Sequence, residues 1–226
     1  MFKNESLGVK EQLIQLREEL FPDAVKTLVA SNIYVACEMS KQVACGEMAK
    51  TPRRATLIAG HSLPFFIERL MTKAIDQSVV GKFPYHYREE KVPKGAYTYV
   101  EYYSSLGKFH IKKVKKEGKL PSAAYHRISN ALSNKLILDF GPEYIPQGVY
   151  VPFSIITYGH TKFSLDFINL GLPFYNYTGW ADIIPISDSV SPEMVENIKK
   201  ENVPELKEEF RGRIEKQPLV KLKGDY

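Results

Sequence analysis

The sequence predicts an α+β protein: N-terminal helices, then a mixed, mostly antiparallel sheet with a β-meander, a following helix and a further hairpin, and a charged C-terminal helix. Three observations predict it. Up to residue 80, apolar residues recur at spacings of three and four. Over 84–115 and 148–186 they come in short, partly alternating runs bounded by Gly and Pro. From Ser191 onward charged residues dominate a helical pattern. The composition suggests three parts: a helical subdomain over 1–80, a sheet core over 81–190 and a charged tail over 191–226.

Taken in order, Val9, Leu13, Leu16 and Leu20 mark the stripe of a first helix, ended by Pro22. Asp23 then caps a second helix, expected to run as far as Met48 with Val25, Leu28, Val29, Ile33 and Ala36 on its apolar face. Thr51-Pro52-Arg53-Arg54 reads as another helix start. The stretch 31–59 also admits a helix-turn-helix in which Arg53 and Arg54 meet phosphate. The segment Gly60–Pro64 is expected to interrupt the pattern, with Ser62 capping a further helix over 64–77.

Strands are expected over 85–91, 96–105 and 108–115, with a turn at Lys94-Gly95 and a tight one at Leu106-Gly107, where glycine tolerates a positive φ. A two-residue turn there sets Glu101 opposite Lys112 and Tyr103 opposite His110. Period-two alternation gives one face Val100, Tyr102, Phe109 and Ile111, and the other Tyr99, Glu101, Tyr103, His110 and Lys112. The first face is core. The second is either a cross-strand ion pair, Glu101 with Lys112, flanked by tyrosines, or a functional site.

Pro121 opens a helix to residue 135 in which Ala124, Ile128, Ala131 and Leu132 face inward and His126, Arg127, Asn130 and Asn134 face solvent. A hairpin follows, with strands over 148–158 and 162–170 and its turn at Gly159-His160, and then a short strand over 180–186. Ser191 starts the charged helix, continued over 204–215, and residues 221–226 are expected to fray.

At 226 residues, 44% hydrophobic and 25% charged, the chain has ordinary globular composition. No apolar run reaches the roughly 18 residues that cross a bilayer, and Met1–Gly8 lacks the pattern of a secretory signal, so a cytoplasmic protein without membrane contact is expected. Cys37 and Cys45 lie about 12 Å apart along one helix, beyond disulfide reach, and are expected as free thiols. Neither a CxxC pair nor an HExxH string is present, so no resident metal is expected. A Gly-rich phosphate loop is also missing, so no organic cofactor is expected.

The sharpest anomaly is charge. Lys108, Lys112, Lys113, Lys115, Lys116 and Lys119 fall within twelve residues opposed only by Glu117, and Arg127 follows. Such a cluster either keeps an edge strand soluble or attracts a polyanion, with Tyr99 and Tyr103 available to stack bases. A protein-binding adaptor or inhibitor would instead use the aromatic run at 174–180, above all Tyr175, Tyr177 and Trp180.

The order of helix 64–77, three meandering strands, helix 121–135 and a further strand resembles the PD-(D/E)XK, or restriction-endonuclease-like, superfamily. The resemblance implies that Glu68 matches the helix acid, Glu101 the strand acid, and His110-Ile111-Lys112 the acid-x-Lys triplet. His110 stands where that superfamily has a carboxylate, which removes a hard oxygen ligand for Mg²⁺ or Mn²⁺. The expectation is a nucleic-acid-associated, non-catalytic binding protein, with a protein-binding adaptor and a metal-dependent nuclease as alternatives.

Overall fold

The computed structural model describes residues 9–46, 52–77, 84–92, 98–135 and 151–216. The Lys94-Gly95 turn, the continuation of the second helix to Met48, the Thr51 cap, the start of the 148–158 strand and the frayed C-terminus all lie outside them.

The fold is α+β, and the described residues form five α-helices and a six-stranded mixed sheet. Helices α1 (Val9–Leu20), α2 (Asp23–Cys45) and α3 (Pro52–Gln77) precede the meander β1 (His86–Lys91), β2 (Thr98–Tyr103) and β3 (Lys108–Lys113). Helix α4 (Tyr125–Ala131) leads to β4 (Phe153–Thr161), β5 (Ser164–Pro173) and β6 (Trp180–Pro185), and α5 (Pro192–Lys216) ends the described chain. Strands are ordered β1-β2-β3-β4-β5-β6, antiparallel except for β3 against β4. A parallel pair needs a crossover, and α4 lies within it.

One face of the sheet is covered by the long helices. Tyr102, Phe109, Ile156, Tyr158, Ile168, Leu170 and Leu172 meet a single core with residues of α1, α2, α3 and α5. The last helix is therefore more than a charged tail: Val195, Ile198, Leu206, Phe210 and Ile214 are buried. Its start is as expected, with Ser191 Oγ accepting the Met194 N–H at 3.3 Å. The opposite face is covered by α4 and the segments around it, with a smaller apolar cluster of Phe153, Ile155, Ala131 and Tyr177.

Several local expectations are corrected. Helix α3 runs unbroken through Gly60 and Pro64, because Ile58, Leu63, Phe65, Phe66 and Ile67 on both sides of the proline are buried in the core. That packing outweighs the lost backbone bond. Helices α2 and α3, of 23 and 26 residues, belong to this core layer, which leaves no short recognition helix within the described part of 31–59.

The β2–β3 connection is four residues, Ser104 to Gly107, with Tyr103 opposite Lys108 and Tyr102 opposite Phe109. Ser104 Oγ accepts the N–H groups of Leu106 and Gly107 at 3.1 and 3.2 Å, which closes the turn without a positive φ at Gly107. Gly107 serves close packing instead: a Cβ there would collide with the Leu20 side chain. Counting back from these pairs places Glu101 across from His110, so the Glu101–Lys112 ion pair does not form. The β4–β5 turn likewise falls at Lys162-Phe163, both at positive φ (49° and 68°), while Gly159 lies in β4 under the Phe167 ring.

Cys37 and Cys45 are free, the first buried and the second exposed. Among the described residues no helix is long and apolar enough to cross a membrane.

Candidate functional site

Helix α4 is inverted. Its polar side chains His126 (5 % exposed) and Arg127 (8 %) face the sheet, while Ile128 (39 %) and Leu132 (55 %) face solvent beside Tyr125 (71 %), the reverse of expectation for those four; Ala131 is buried, as expected. Asn134, also expected outside, is fully buried: its amide donates to the carbonyls of Phe153 and Pro173 and accepts the Phe153 N–H, at 2.8 to 3.0 Å. The cause lies in the sheet. Alternation on β2 and β3 sends Tyr99, Glu101, Lys108, His110 and Lys112 to this face, and buried polar groups need polar partners.

Glu101, 2 % exposed, is the hub. Its Oε1 accepts Arg88 Nη2 and Nε at 2.6 and 3.2 Å. Its Oε2 accepts Asn130 Nδ2 at 2.9 Å and lies 3.4 Å from His110 Nε2. Asn130 in turn accepts Lys108 Nζ at 2.7 Å, so one α4 side chain joins a carboxylate to an ammonium. Burial alone would raise the Glu101 carboxyl, but His110 and Arg88 overcome it and hold the group down to about 2.

The imidazoles behave oppositely. Burial pushes His110 down to about 4 against the support of Glu101, and burial together with Arg127 brings His126 to about 4. Both rings are therefore neutral at pH 7. Tyr99 stacks on His126 at 4.2 Å, and His110 meets Phe153 edge-on at 4.8 Å. Arg127 donates through Nε and Nη2 to the Ser122 carbonyl at 3.1 and 2.6 Å. Its Nη1 lies 3.2 Å from His126 Nε2, so that nitrogen accepts and the ring proton belongs on Nδ1.

The lysine cluster is divided by this geometry. Lys108 is engaged by Asn130, and Lys112 is half-buried, its ammonium brought down to about 8 by burial and then by Arg127. Arg127 is buried rather than presented. Lys113, on the alternate side of β3, is exposed, as are Lys115, Lys116 and Lys119 in the bend after it. Tyr103 remains at the surface, half-buried, with the Arg88 guanidinium 5.1 Å from its ring centre and His86 at 5.8 Å.

The acids of the superfamily resemblance are not brought together. Glu68 sits on α3, on the helical face, where burial raises its carboxyl, whereas Glu101 is on the α4 face. Only His110 and Lys112 share the face of Glu101. Among the described residues no group of three or more His, Cys, Asp and Glu is placed to hold a metal.

Two rings of the 174–180 run are engaged internally. Tyr177, 8 % exposed, donates to the Pro121 carbonyl at 3.3 Å, and Trp180 Nε1 donates to the Gly118 carbonyl at 2.9 Å. Tyr175 lies under Lys135, whose Nζ is 5.6 Å from the ring centre. These contacts hold the 118–121 segment against the sheet.

Elsewhere, a recess of about 420 Å³ between α2 and the β4–β5 turn is lined by Cys37, Glu38, Lys41 and Asp166. Burial pushes the Cys37 thiol up to about 12, which removes it as a nucleophile. Arg88, His126, Asn130 and Thr157 are the site residues that sequence reasoning missed. Arg88 alone carried a signal, as the cation on β1 that falls opposite Glu101 once β1 and β2 pair. No family model, curated protein or solved structure matches the chain.

Proposed function

We propose that this chain is a cytoplasmic, nucleic-acid-associated binding protein that contacts single strands through the open part of the α4 face, without catalysis. The observation that carries the reading is Tyr103 at the sheet surface between the His86 ring and the Arg88 guanidinium. The exposed lysines 115, 116 and 119 lie in the bend after β3, which Trp180 of β6 ties to the sheet through Gly118. Planar rings and a guanidinium stack unpaired bases, while flexible surface lysines supply phosphate contacts that are insensitive to sequence. The order helix, three-strand meander, helix, strand supports the reading through the superfamily it resembles.

The expected result is binding of a single-stranded oligonucleotide in a fluorescence anisotropy titration, weakening steeply with salt. Reversing Lys115, Lys116 and Lys119 to Glu should lower affinity at least about tenfold and flatten the salt slope by about 2, at roughly 0.7 per lost phosphate contact. Tyr103→Ala should cost about 1–3 kcal/mol. Unchanged affinity in both variants sinks the reading.

A protein-binding adaptor is the second reading, favoured by one feature. Tyr125, Ile128 and Leu132 form an exposed apolar ridge at helical spacing, the kind of surface a partner covers. A partner that co-purifies with the wild-type chain and is lost on Ile128→Glu is the expected result; retention in the variant counts against this surface.

A further inference from the structure

A row of polar side chains crosses the centre of the sheet on the α4 face. Lys112 on β3 pairs with Thr157 on β4, and Thr157 with Asn169 on β5. Thr157 and Asn169 are 0 % and 3 % exposed, in a part of the sheet whose neighbouring inward residues, Phe153 and Ile155, are apolar. His126 and Arg127 approach the same region from α4, and His110 adjoins it, its ring centre 5.6 Å from that of His126.

The bonding in this row is incomplete. Thr157 Oγ1, His126 Nδ1 and both ring nitrogens of His110 are buried without a hydrogen-bond partner, His110 Nε2 lying 3.4 Å from Glu101 Oε2. Among the described residues, neither Lys112 nor Arg127 makes an ion pair. Glu101, on this face, is already engaged by Arg88 and Asn130. Glu68 reaches Lys112 only as a charge from the helical side. Of these two sheltered cations with no acid among them, Arg127 already donates to the Ser122 carbonyl and His126, while the half-buried Lys112 has no acceptor among the described residues. With the unpartnered side chains they leave an electrostatically incomplete cluster, and a sheltered unpaired charge is costly. The missing complement is an anion that accepts several hydrogen bonds at once.

The geometry points to an oxyanion site beneath α4, in which Lys112, Thr157, Asn169, His126 and Arg127 take a phosphate group. Its source is either a free phosphate-bearing small molecule or the terminal phosphate of a nucleic acid. The free-phosphate arm does not depend on nucleic-acid binding, whereas the terminal-phosphate arm rests on that reading.

Thermal unfolding of the full chain at pH 7, in inorganic phosphate against chloride of equal ionic strength, tests the site. The wild type should rise by several degrees in phosphate. Lys112→Met should melt higher than wild type in chloride, since it removes an uncompensated charge, and should gain nothing from phosphate. Thr157→Val keeps the side-chain volume and should lose the phosphate response even if the lysine variant folds poorly. No rise in the wild type means that ordered water alone satisfies these groups, and equal rises in wild type and variants mean unspecific salting; either overturns the proposal. Oligonucleotides of one sequence with 5′-phosphate or 5′-hydroxyl ends separate the sources. At least about tenfold tighter binding of the phosphorylated end assigns a terminal phosphate, and equal binding alongside a phosphate response assigns a free small molecule. If neither oligonucleotide binds while inorganic phosphate still does, the nucleic-acid reading fails and the anion site stands.

Discussion

Acidifying the protein from pH 6.5 to pH 4 is expected to remove on the order of 3 kcal/mol of stability for each of two buried imidazoles, His110 and His126. Both are held neutral, at about 4 against an ordinary 6.5, and each pKa unit is worth about 1.4 kcal/mol. The folded state thus binds fewer protons than the unfolded chain across this window. Each contribution is complete above pH 6.5 and is lost as the pH falls through about 4. The charged and titratable groups facing the two rings are Glu101 and Tyr99 from β2, Lys112 from β3 and Arg127 from α4. Only Glu101 favours protonation. Its own carboxyl, held to about 2, leaves its contribution intact down to its unfolded value near 4.5, with loss below that. Between about 4.5 and 6.5 the Glu101 contribution is constant, and Glu68, whose carboxyl burial raises, titrates with the opposite sign, so the histidine share is read from the difference between wild type and a histidine variant. Urea unfolding at pH 7, 5.5 and 4.5 measures the slope, and His126→Phe, which keeps a ring against Tyr99, should remove one histidine's share of it. Equal slopes between pH 6.5 and pH 4.5 in wild type and His126→Phe would show that the His126 ring is not held neutral.

The composition of this face was legible in the sequence, while its pairing was not. Alternation along residues 99–112 separates Val100, Tyr102, Phe109 and Ile111 from Tyr99, Glu101, His110 and Lys112, and that division holds because strand geometry fixes it locally. The pairing depended on a turn. Leu106-Gly107 suggested a two-residue loop, but the Ser104 hydroxyl gathers two backbone N–H groups and closes a four-residue one. The resulting slip of two residues preserves every face and changes every partner, moving Glu101 from Lys112 to His110. Helix α4 was misread for a different reason. Amphipathic reasoning assumes an apolar surface beneath a helix, and here the surface beneath is Glu101, Lys108 and His110. The C-terminal helix hid its role behind its charge, although Val195, Ile198, Leu206, Phe210 and Ile214 lie at spacings that place them on one side. In α3, Gly60 and Pro64 spoke locally for a break, and burial of apolar residues on both flanks overruled them.

Glu101→Ala is expected to cost about 3–5 kcal/mol, the cost of removing one partner from a buried ionic cluster. The carboxylate is nearly inaccessible, and it joins β1, β2 and α4 through Arg88, its own strand and Asn130, with His110 of β3 3.4 Å away. Without it, Asn130 Nδ2 loses its acceptor, and the half-buried Lys108 loses the nearby charge that offsets its desolvation. Glu101→Gln removes the charge but keeps an oxygen toward Arg88 or Asn130, so its cost should be smaller, about 1–2 kcal/mol. The pair of variants separates a structural hub from the metal-dependent nuclease that the superfamily resemblance also allows. A catalytic carboxylate would lose metal-dependent cleavage equally in both variants while the folded population stayed near wild type. A hub carboxylate gives a graded loss of stability, Ala far beyond Gln, with no cleavage by the wild-type chain in Mg²⁺ or Mn²⁺. Denaturant unfolding followed by circular dichroism, run beside a single-strand cleavage assay, reads both. If Ala lost less than about 1 kcal/mol, Glu101 would not organise this face, and the packing of α4 with His126 and Arg127 toward the sheet would need another cause.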